Sequence, residues 1–166
     1  MLDPPSGGAD AVGFERALAA LVGKPVLWHV SDPQSGVLLD LGERVEKERP
    51  TENPKLTAEQ RRYRGESSVF ITCTWFLNVP SDQTQPARQG LDERSWWHKQ
   101  LSLVVGATVT ETTTTADLRQ LQIRFDNRVR LVADLEDSSE YQDYTVRVGR
   151  EYWSVSADGQ LTHQDS

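Results

Sequence analysis

The chain has 166 residues and a mass of 18.7 kDa, which favours one domain or two small halves that share a core. Apolar residues make up 37% of the chain and five tryptophans are present, a composition typical of a soluble globular protein rather than a disordered one. Because 25 acidic residues outnumber 18 lysines and arginines, the net charge of −7 argues against nucleic acid and against an anionic membrane surface as partners.

The N-terminal and cysteine patterns narrow the class of protein further. Residues 1–8 lack the basic and apolar segments of a secretory signal, and no stretch has the ~20 apolar residues of a membrane helix. Cys73 is the only cysteine, so the sequence excludes an internal disulfide and a cysteine-rich metal site. A reducing, cytoplasmic setting is therefore expected.

The first part of the chain predicts a helix and a hairpin behind a mobile tail. Residues 1–9 are rich in proline and glycine, as terminal tails often are. Asp10 is the expected N-cap of a helix over residues 11–22, where apolar side chains recur at helical spacing. Two segments of alternating apolar residues, 26–30 and 37–41, then predict a β-hairpin.

A charged segment and an apolar segment follow the hairpin. Residues 43–67 are dense in charge and predict a long loop, in which Thr57 and Gln60 could cap one short helical turn. Residues 69–77 are the most apolar run of the chain. That run predicts a central strand that is covered on both faces.

The second part of the chain begins after a polar linker at residues 81–91. Asp92 is the expected N-cap of a second amphipathic helix, which carries Trp97 and Leu101 on its apolar side. Alternation predicts strands after that helix, and a short tail is expected at residues 161–166. The predicted strands are 109–115, 121–125, 129–133, 144–148 and 152–155.

Two short strings indicate an internal repeat. Residues 21–26 (Leu-Val-Gly-Lys-Pro-Val) resemble residues 104–109 (Val-Val-Gly-Ala-Thr-Val), about 80 residues later, and each string follows an amphipathic helix. We therefore predict an α+β fold with a mainly antiparallel sheet. It would be built from two similar halves, residues 10–80 and 92–160, each with one N-terminal helix.

The segment Gly65–Trp75 (Gly-Glu-Ser-Ser-Val-Phe-Ile-Thr-Cys-Thr-Trp) resembles a string in uncharacterised small bacterial proteins. In those proteins a Gly-Glu pair opens a strand that ends in Cys-x-Trp, and a later strand has the pattern of Leu121–Phe125 here. Their tryptophan is commonly followed by arginine, whereas this chain has Phe76. Some of these proteins look like immunity partners of bacterial toxins, so the resemblance implies a bacterial, immunity-like binding protein.

The sequence contains no recognisable catalytic motif. His29, His98 and His163 lie far apart in the chain, which does not fit the close ligand spacing of a typical zinc site. Cys73 lies in an apolar strand, where burial would make its thiol unreactive. We therefore predict no catalytic residue, no metal and no cofactor.

An acidic segment and a tryptophan are the candidate residues for partner binding. The acidic segment reads either as a solvated hairpin turn or as a surface that attracts a basic partner. Trp96 lies beside Trp97 on the predicted helix, so it either widens the apolar face or is exposed as an anchor for a partner. The acidic candidates are Asp134, Glu136, Asp137 and Glu140.

The leading functional prediction is a non-enzymatic binding protein that engages another protein through this acidic and aromatic surface, with an immunity-like role as one version. The alternative is a small enzyme or ligand-binding domain with a pocket between the two halves. Trp28, His29 and Asp32 are its first candidate residues. Self-association through exposed strands is a third hypothesis.

Overall fold

A computed structural model describes residues 7–165, in which strands outnumber helices. The fold is α+β, and every pairing between its named strands is antiparallel, as predicted. The helices are α1 (Gly7–Leu21), α2 (Ala58–Arg62) and α3 (Glu93–Ser102). The strands are β1 (Val26–Asp32), β2 (Gly36–Glu46), β3 (Tyr63–Ile71), β4 (Thr74–Asn78), β5 (Val109–Thr114), β6 (Gln120–Phe125), β7 (Arg130–Asp134), β8 (Asp143–Val148), β9 (Glu151–Ser156) and β10 (Leu161–Asp165).

The strands form two sheets, and the chain crosses from one sheet to the other twice. The six-stranded sheet has the order β1-β2-β3-β8-β9-β10, and the four-stranded sheet has the order β4-β7-β6-β5. Strand β4 leaves β3 and pairs with β7, while β8 leaves β7 and pairs with β3. Each sheet therefore contains strands from both predicted halves, residues 10–80 and 92–160.

The two glycine-containing segments of the predicted repeat pair with each other. Each segment donates two backbone hydrogen bonds to the other, and the two sets correspond residue by residue. The bonds run from Gly23 N to Val109 O (2.8 Å), from Gly106 N to Val26 O (2.8 Å), from Val26 N to Ala107 O (2.8 Å) and from Val109 N to Lys24 O (3.0 Å). The similarity of the two halves stays a prediction.

Helix α1 covers one face of the six-stranded sheet, which we call the inner face. Phe14 packs against Tyr144 with ring centroids 6.4 Å apart, and both side chains are buried. Gly13 faces the Trp153 ring, from which a Cβ at this position would lie 3.4 Å away. Helix α1 also contacts β5 of the other sheet. The opposite side, which we call the outer face, carries the alternate residues of the same strands.

The helix ends differ in how well the sequence predicts them. Helix α1 begins at Gly7, so Asp10 lies in its first turn, where a carboxylate favours the helix dipole, and is not the N-cap. The predicted tail at residues 1–9 thus includes helical residues, and its residues 1–6 lie outside the described part. In α3 the predicted N-cap is confirmed, since the Asp92 carboxylate accepts from Ser95 N at 2.8 Å.

The charged segment 43–67 is more ordered than predicted. Strand β2 continues to Glu46 and β3 begins at Tyr63, so only residues 47–57 form a loop before α2. Backbone pairing does not depend on the charge of exposed side chains, which is why charge density is a poor sign of a loop here. The predicted cap is confirmed, because Thr57 and Gln60 form a reciprocal capping box at α2.

The apolar run 69–77 is two strands and not one. Strand β3 ends at Ile71 and β4 begins at Thr74 in the other sheet. Thr72 marks the crossing, where its N donates to Asp143 O at 3.0 Å. The chain end also differs from the prediction, because residues 161–165 of the expected tail form the edge strand β10.

Candidate functional site

Three turns meet at the end of the sheets where β8 begins and β9 ends. They are residues 115–119, 135–142 and 157–160. Arg119 O accepts from Leu135 N at 2.8 Å, and Arg119 Nε donates to Ala157 O at 3.2 Å. A Cβ on Gly159 would lie 2.6 Å from Asp117 O, which shows how closely two of these turns approach. We call this region the acidic end, because the turns present five exposed carboxylates. They are Asp117, Glu136, Asp137, Glu140 and Asp158.

Local hydrogen bonds keep two of these carboxylates ionised. The Thr115 hydroxyl and Arg119 N–H hold the pKa of Asp117 below its ordinary value of 3.8. The Ser156 hydroxyl has the same effect on the pKa of Asp158. Hydrogen bonds to a charged form favour that form. Asp117 and Asp158 are therefore negatively charged at every pH well above that value.

The predicted acidic residues do not all have the same role. Asp134, at the end of β7, is half-buried, and its carboxylate accepts from Glu136 N at 2.9 Å. It therefore shapes the turn, whereas Glu136, Asp137 and Glu140 are exposed. Asp137 has a φ of 62°, a left-handed conformation that aspartate tolerates better than most residues.

Tyr141 is the aromatic residue of the acidic end. Its relative exposure is 86%, the highest among the exposed large hydrophobic residues of the described part. A tyrosine in this position offers a large apolar surface and a hydroxyl to a partner. Sequence reasoning missed it, although an aromatic residue between Glu140 and Gln142 in a polar turn was a readable signal.

Trp96 lies apart from the acidic end. It is half-buried on α3, with the Arg88 guanidinium 5.8 Å from its ring centroid. Its neighbour Trp97 packs edge-on against Trp75 of β4, at a centroid distance of 5.1 Å. Among residues 7–165, none of the hydrogen bonds, ion pairs or ring contacts joins Trp96 to the acidic end.

Two of the three residues of the alternative pocket contact helix α3, and the third bonds within the sheet. Trp28 Nε1 donates to Asp40 Oδ2 at 2.7 Å on the outer face. His29, the next residue, packs against His98 of α3 with ring centroids 4.9 Å apart. Asp32 accepts from Arg94 at 2.9 Å. His98 and Arg94 both belong to α3, so His29 and Asp32 face the same helix, whereas Trp28 bonds to Asp40.

Neither His29 nor Cys73 has the setting of a reactive group. Burial, with a smaller effect of His98, lowers the pKa of His29 to about 4, so its imidazole is neutral at pH 7. Burial raises the pKa of the Cys73 thiol to about 12, which leaves it protonated. Within the described residues, no three His, Cys, Asp or Glu side chains are placed to hold a metal ion.

A buried polar network crosses the outer face, and the sequence analysis did not anticipate it. Asp40 and Arg147 are each 5% exposed, and Arg147 Nη2 lies 3.8 Å from Asp40 Oδ1. Asp40 Oδ1 accepts from Gly65 N at 3.0 Å, while Arg147 donates to Gly65 O at 2.7 Å and Ser68 Oγ at 3.1 Å. A Cβ on Gly65 would lie 2.5 Å from Leu41 N, so only glycine fits here.

The network leaves little hydrogen-bonding capacity unused. Arg147 Nη1 also donates to Gly149 O at 2.9 Å and to Glu66 O at 3.3 Å, and burial lowers the pKa of this guanidinium. The signal in the sequence was a single arginine between Val146 and Val148, which alternation alone describes as an ordinary solvated position. The network therefore fixes the outer face around Gly65.

Comparisons with known proteins do not assign the chain to a family. No family model, no curated protein and no solved structure matches it. Among residues 7–165, no helix has both the length and the apolar character needed to cross a membrane. Function is therefore inferred from the geometry of the chain itself.

Proposed function

We propose that this chain is a non-enzymatic binding protein that engages the basic surface of another protein through its acidic end. The observation that carries the proposal is Tyr141, which is 86% exposed in one of the turns that carry the five exposed carboxylates. A large exposed aromatic side chain next to charge of one sign is typical of an interface anchor with a steering field.

The rigidity of the acidic end supports this proposal. Arg119 joins the three turns, since its backbone O accepts from Leu135 N and its side-chain Nε donates to Ala157 O. The Tyr144 hydroxyl of β8 holds one of the turns to the sheet by donating to Leu118 O at 2.7 Å. Because these turns are already held in place, binding would cost little loop ordering. The five carboxylates are also exposed, so a partner can reach them without unfolding the sheet.

Several finer predictions belong to this proposal. A toxin-neutralising, immunity-like role in a bacterial cytoplasm is one form that such binding could take. Trp96 stays a secondary candidate, because Arg88 lies over its ring. The reciprocal hydrogen bonds between residues 23–26 and 106–109 support an origin by internal duplication. The alternative of an enzyme or ligand-binding domain has less support, since Trp28, His29 and Asp32 already contact Asp40, His98 and Arg94 of the chain itself.

The proposal is tested by quantitative capture from a cell lysate with matched charge variants. The test variants are Glu136→Lys with Glu140→Lys, and Tyr141→Ala. The control is Glu15→Lys with Glu52→Lys, which makes the same change in net charge at exposed positions outside the acidic end. We expect the wild type and the control to retain the same protein, and the test variants to retain about tenfold less of it.

Salt dependence provides the second measurement. Retention by the wild type should fall steeply between low and high salt, because exposed charges are screened. If the test variants and the control retain the same proteins at every salt concentration, the acidic end is not the binding surface. Thermal unfolding of each variant, compared with wild type, shows that lost retention does not come from lost folding.

A further inference from the structure

The outer face of the six-stranded sheet holds a cavity of about 510 Å³ that is independent of the acidic end. Its floor is apolar, because Leu38 and Phe70 lie directly opposite each other on β2 and β3 and are both half-buried. The ring of Tyr152 and the hydroxyls of Thr145 and Ser154 line another side. Cavities of this size hold small organic molecules.

Three cations and one carboxylate line the same cavity. They are Lys47, Arg64, Arg147 and Asp40. The Asp40 carboxylate is 5% exposed and is already bound by Trp28 Nε1 and Gly65 N, so it offers little charge to a ligand. The lining therefore carries two net positive charges in a chain whose overall charge is −7.

The three cations differ in how many hydrogen bonds they already donate to the chain. Arg147 donates to a hydroxyl and three carbonyls, whereas Lys47 donates to Thr51 Oγ1 at 2.8 Å and Gln60 O at 2.7 Å. Within residues 7–165, the Arg64 guanidinium has no hydrogen-bond or ion-pair partner. Burial lowers the pKa of Lys47, and of its charged neighbours Asp40 opposes this shift while Arg64 adds to it.

We propose that this cavity binds a small organic anion with an apolar body. Arg64 and Lys47 hold the anionic head, and Leu38 and Phe70 contact the body. A half-buried guanidinium without a partner is the donor that suits an oxyanion, because its planar fork matches carboxylate and phosphate oxygens. The apolar floor distinguishes this ligand from a free inorganic anion, which would gain nothing from contact with Phe70.

Isothermal titration calorimetry with phenyl phosphate tests this site. Inorganic phosphate and benzyl alcohol serve as probes for the head and the body alone. We expect saturable binding of phenyl phosphate by the wild type, and binding at least about tenfold weaker for either partial probe. Arg64→Gln should weaken phenyl phosphate binding about tenfold, and Arg64→Lys should restore part of the loss.

A matched control and a second variant keep the test independent of folding. Arg16→Gln removes one exposed arginine from α1, on the other side of the sheet, and should leave binding unchanged. Phe70→Thr should reduce phenyl phosphate binding to the level of inorganic phosphate. The proposal is overturned by no saturable binding up to about 10 mM, by equal affinity for phenyl and inorganic phosphate, or by an Arg64→Gln variant that binds like wild type.

Discussion

Alternate residues of the same strands experience two opposite environments in the six-stranded sheet. On the inner face, Leu39 and Val146 are 0% exposed and pack among apolar side chains. On the outer face, their neighbours Asp40 and Arg147 are 5% exposed. Both form hydrogen bonds with the Gly65 backbone, and Arg147 also donates to the Ser68 hydroxyl. The inner face is stabilised by apolar area, whereas the outer face depends on a complete set of polar partners.

The difference shows that buried residues contribute to stability in two different ways in this protein. A buried apolar residue can be trimmed at a cost that scales with the atoms removed. Removing one buried charge lowers the free energy of unfolding strongly unless its partner is removed as well, because the remaining charge is then buried without an opposite charge beside it. The two faces should therefore respond differently to single and paired substitutions.

The largest expected effect tests the inner face. Trp153 is 5% exposed, and Trp153→Ala should lower the free energy of unfolding by about 3–5 kcal/mol through loss of area and formation of a cavity. Trp75 is only half-buried on β4, so Trp75→Ala should cost about half as much. Denaturant unfolding of both variants measures the difference.

A conservative variant controls this experiment. No described residue accepts a hydrogen bond from the buried Trp153 Nε1, so Trp153→Phe loses ring area but no hydrogen bond. It should cost clearly less than Trp153→Ala. Equal losses for Trp75→Ala and Trp153→Ala would mean that the two rings contribute alike to the core.

The next effect tests the outer face. Arg147→Met removes the donors to Ser68, Gly65 and Gly149 and leaves Asp40 without its cation, which should cost about 3 kcal/mol. Asp40→Leu added to Arg147→Met should recover part of that stability. Denaturant unfolding of both single variants and the double variant closes the cycle. Strictly additive losses would show that the two charges do not depend on each other.

A smaller effect isolates one bond of the network. Trp28→Phe keeps most of the ring and removes the Nε1 hydrogen bond to Asp40, so we expect a loss of about 1–2 kcal/mol. Tyr152→Phe is the matched control, since it also removes one polar atom from an outer-face ring. A loss for Trp28→Phe no larger than for Tyr152→Phe would argue against a structural role of the Trp28 bond.

The smallest effect is a pH dependence on the inner side of β1. The pKa of His29 falls from an ordinary 6.5 to about 4 in the folded chain, so the folded form resists protonation. Stability is therefore complete above pH 6.5 and decreases as the pH falls towards 4, by less than for Trp28→Phe because solvent screens this partly exposed ring. His29→Gln should flatten this part of the stability profile, and an unchanged slope would assign the decrease to other groups.

The elements that the sequence predicts well are those with a local signal. The hairpin of β1 and β2 follows from alternation, and the start of α3 follows from Asp92 at the N-cap. The fold class follows from the succession of such elements. These features depend on residues within a few positions of each other, so one chain segment contains all the information.

The features that the sequence does not predict depend on distant residues. Nothing within residues 69–77 shows that the chain changes sheets at Thr72, because the cause is the pairing with Asp143. The cavity on the outer face likewise joins Arg64 to Tyr152 through strands that are far apart in the chain. Composition also misled, since Arg64 lies in a charged segment that reads as a solvated loop.

The two crossings between the sheets, before β4 and before β8, affect how the chain folds. The edge of β3 remains open until β8 has been made, because Ile71 pairs with Tyr144. Neither sheet can be completed by a continuous stretch of chain, which favours slow and cooperative folding. A chain cut between β4 and α3 would yield two fragments, each with an unpaired strand that only the other can cover, so the fragments should reassemble on mixing.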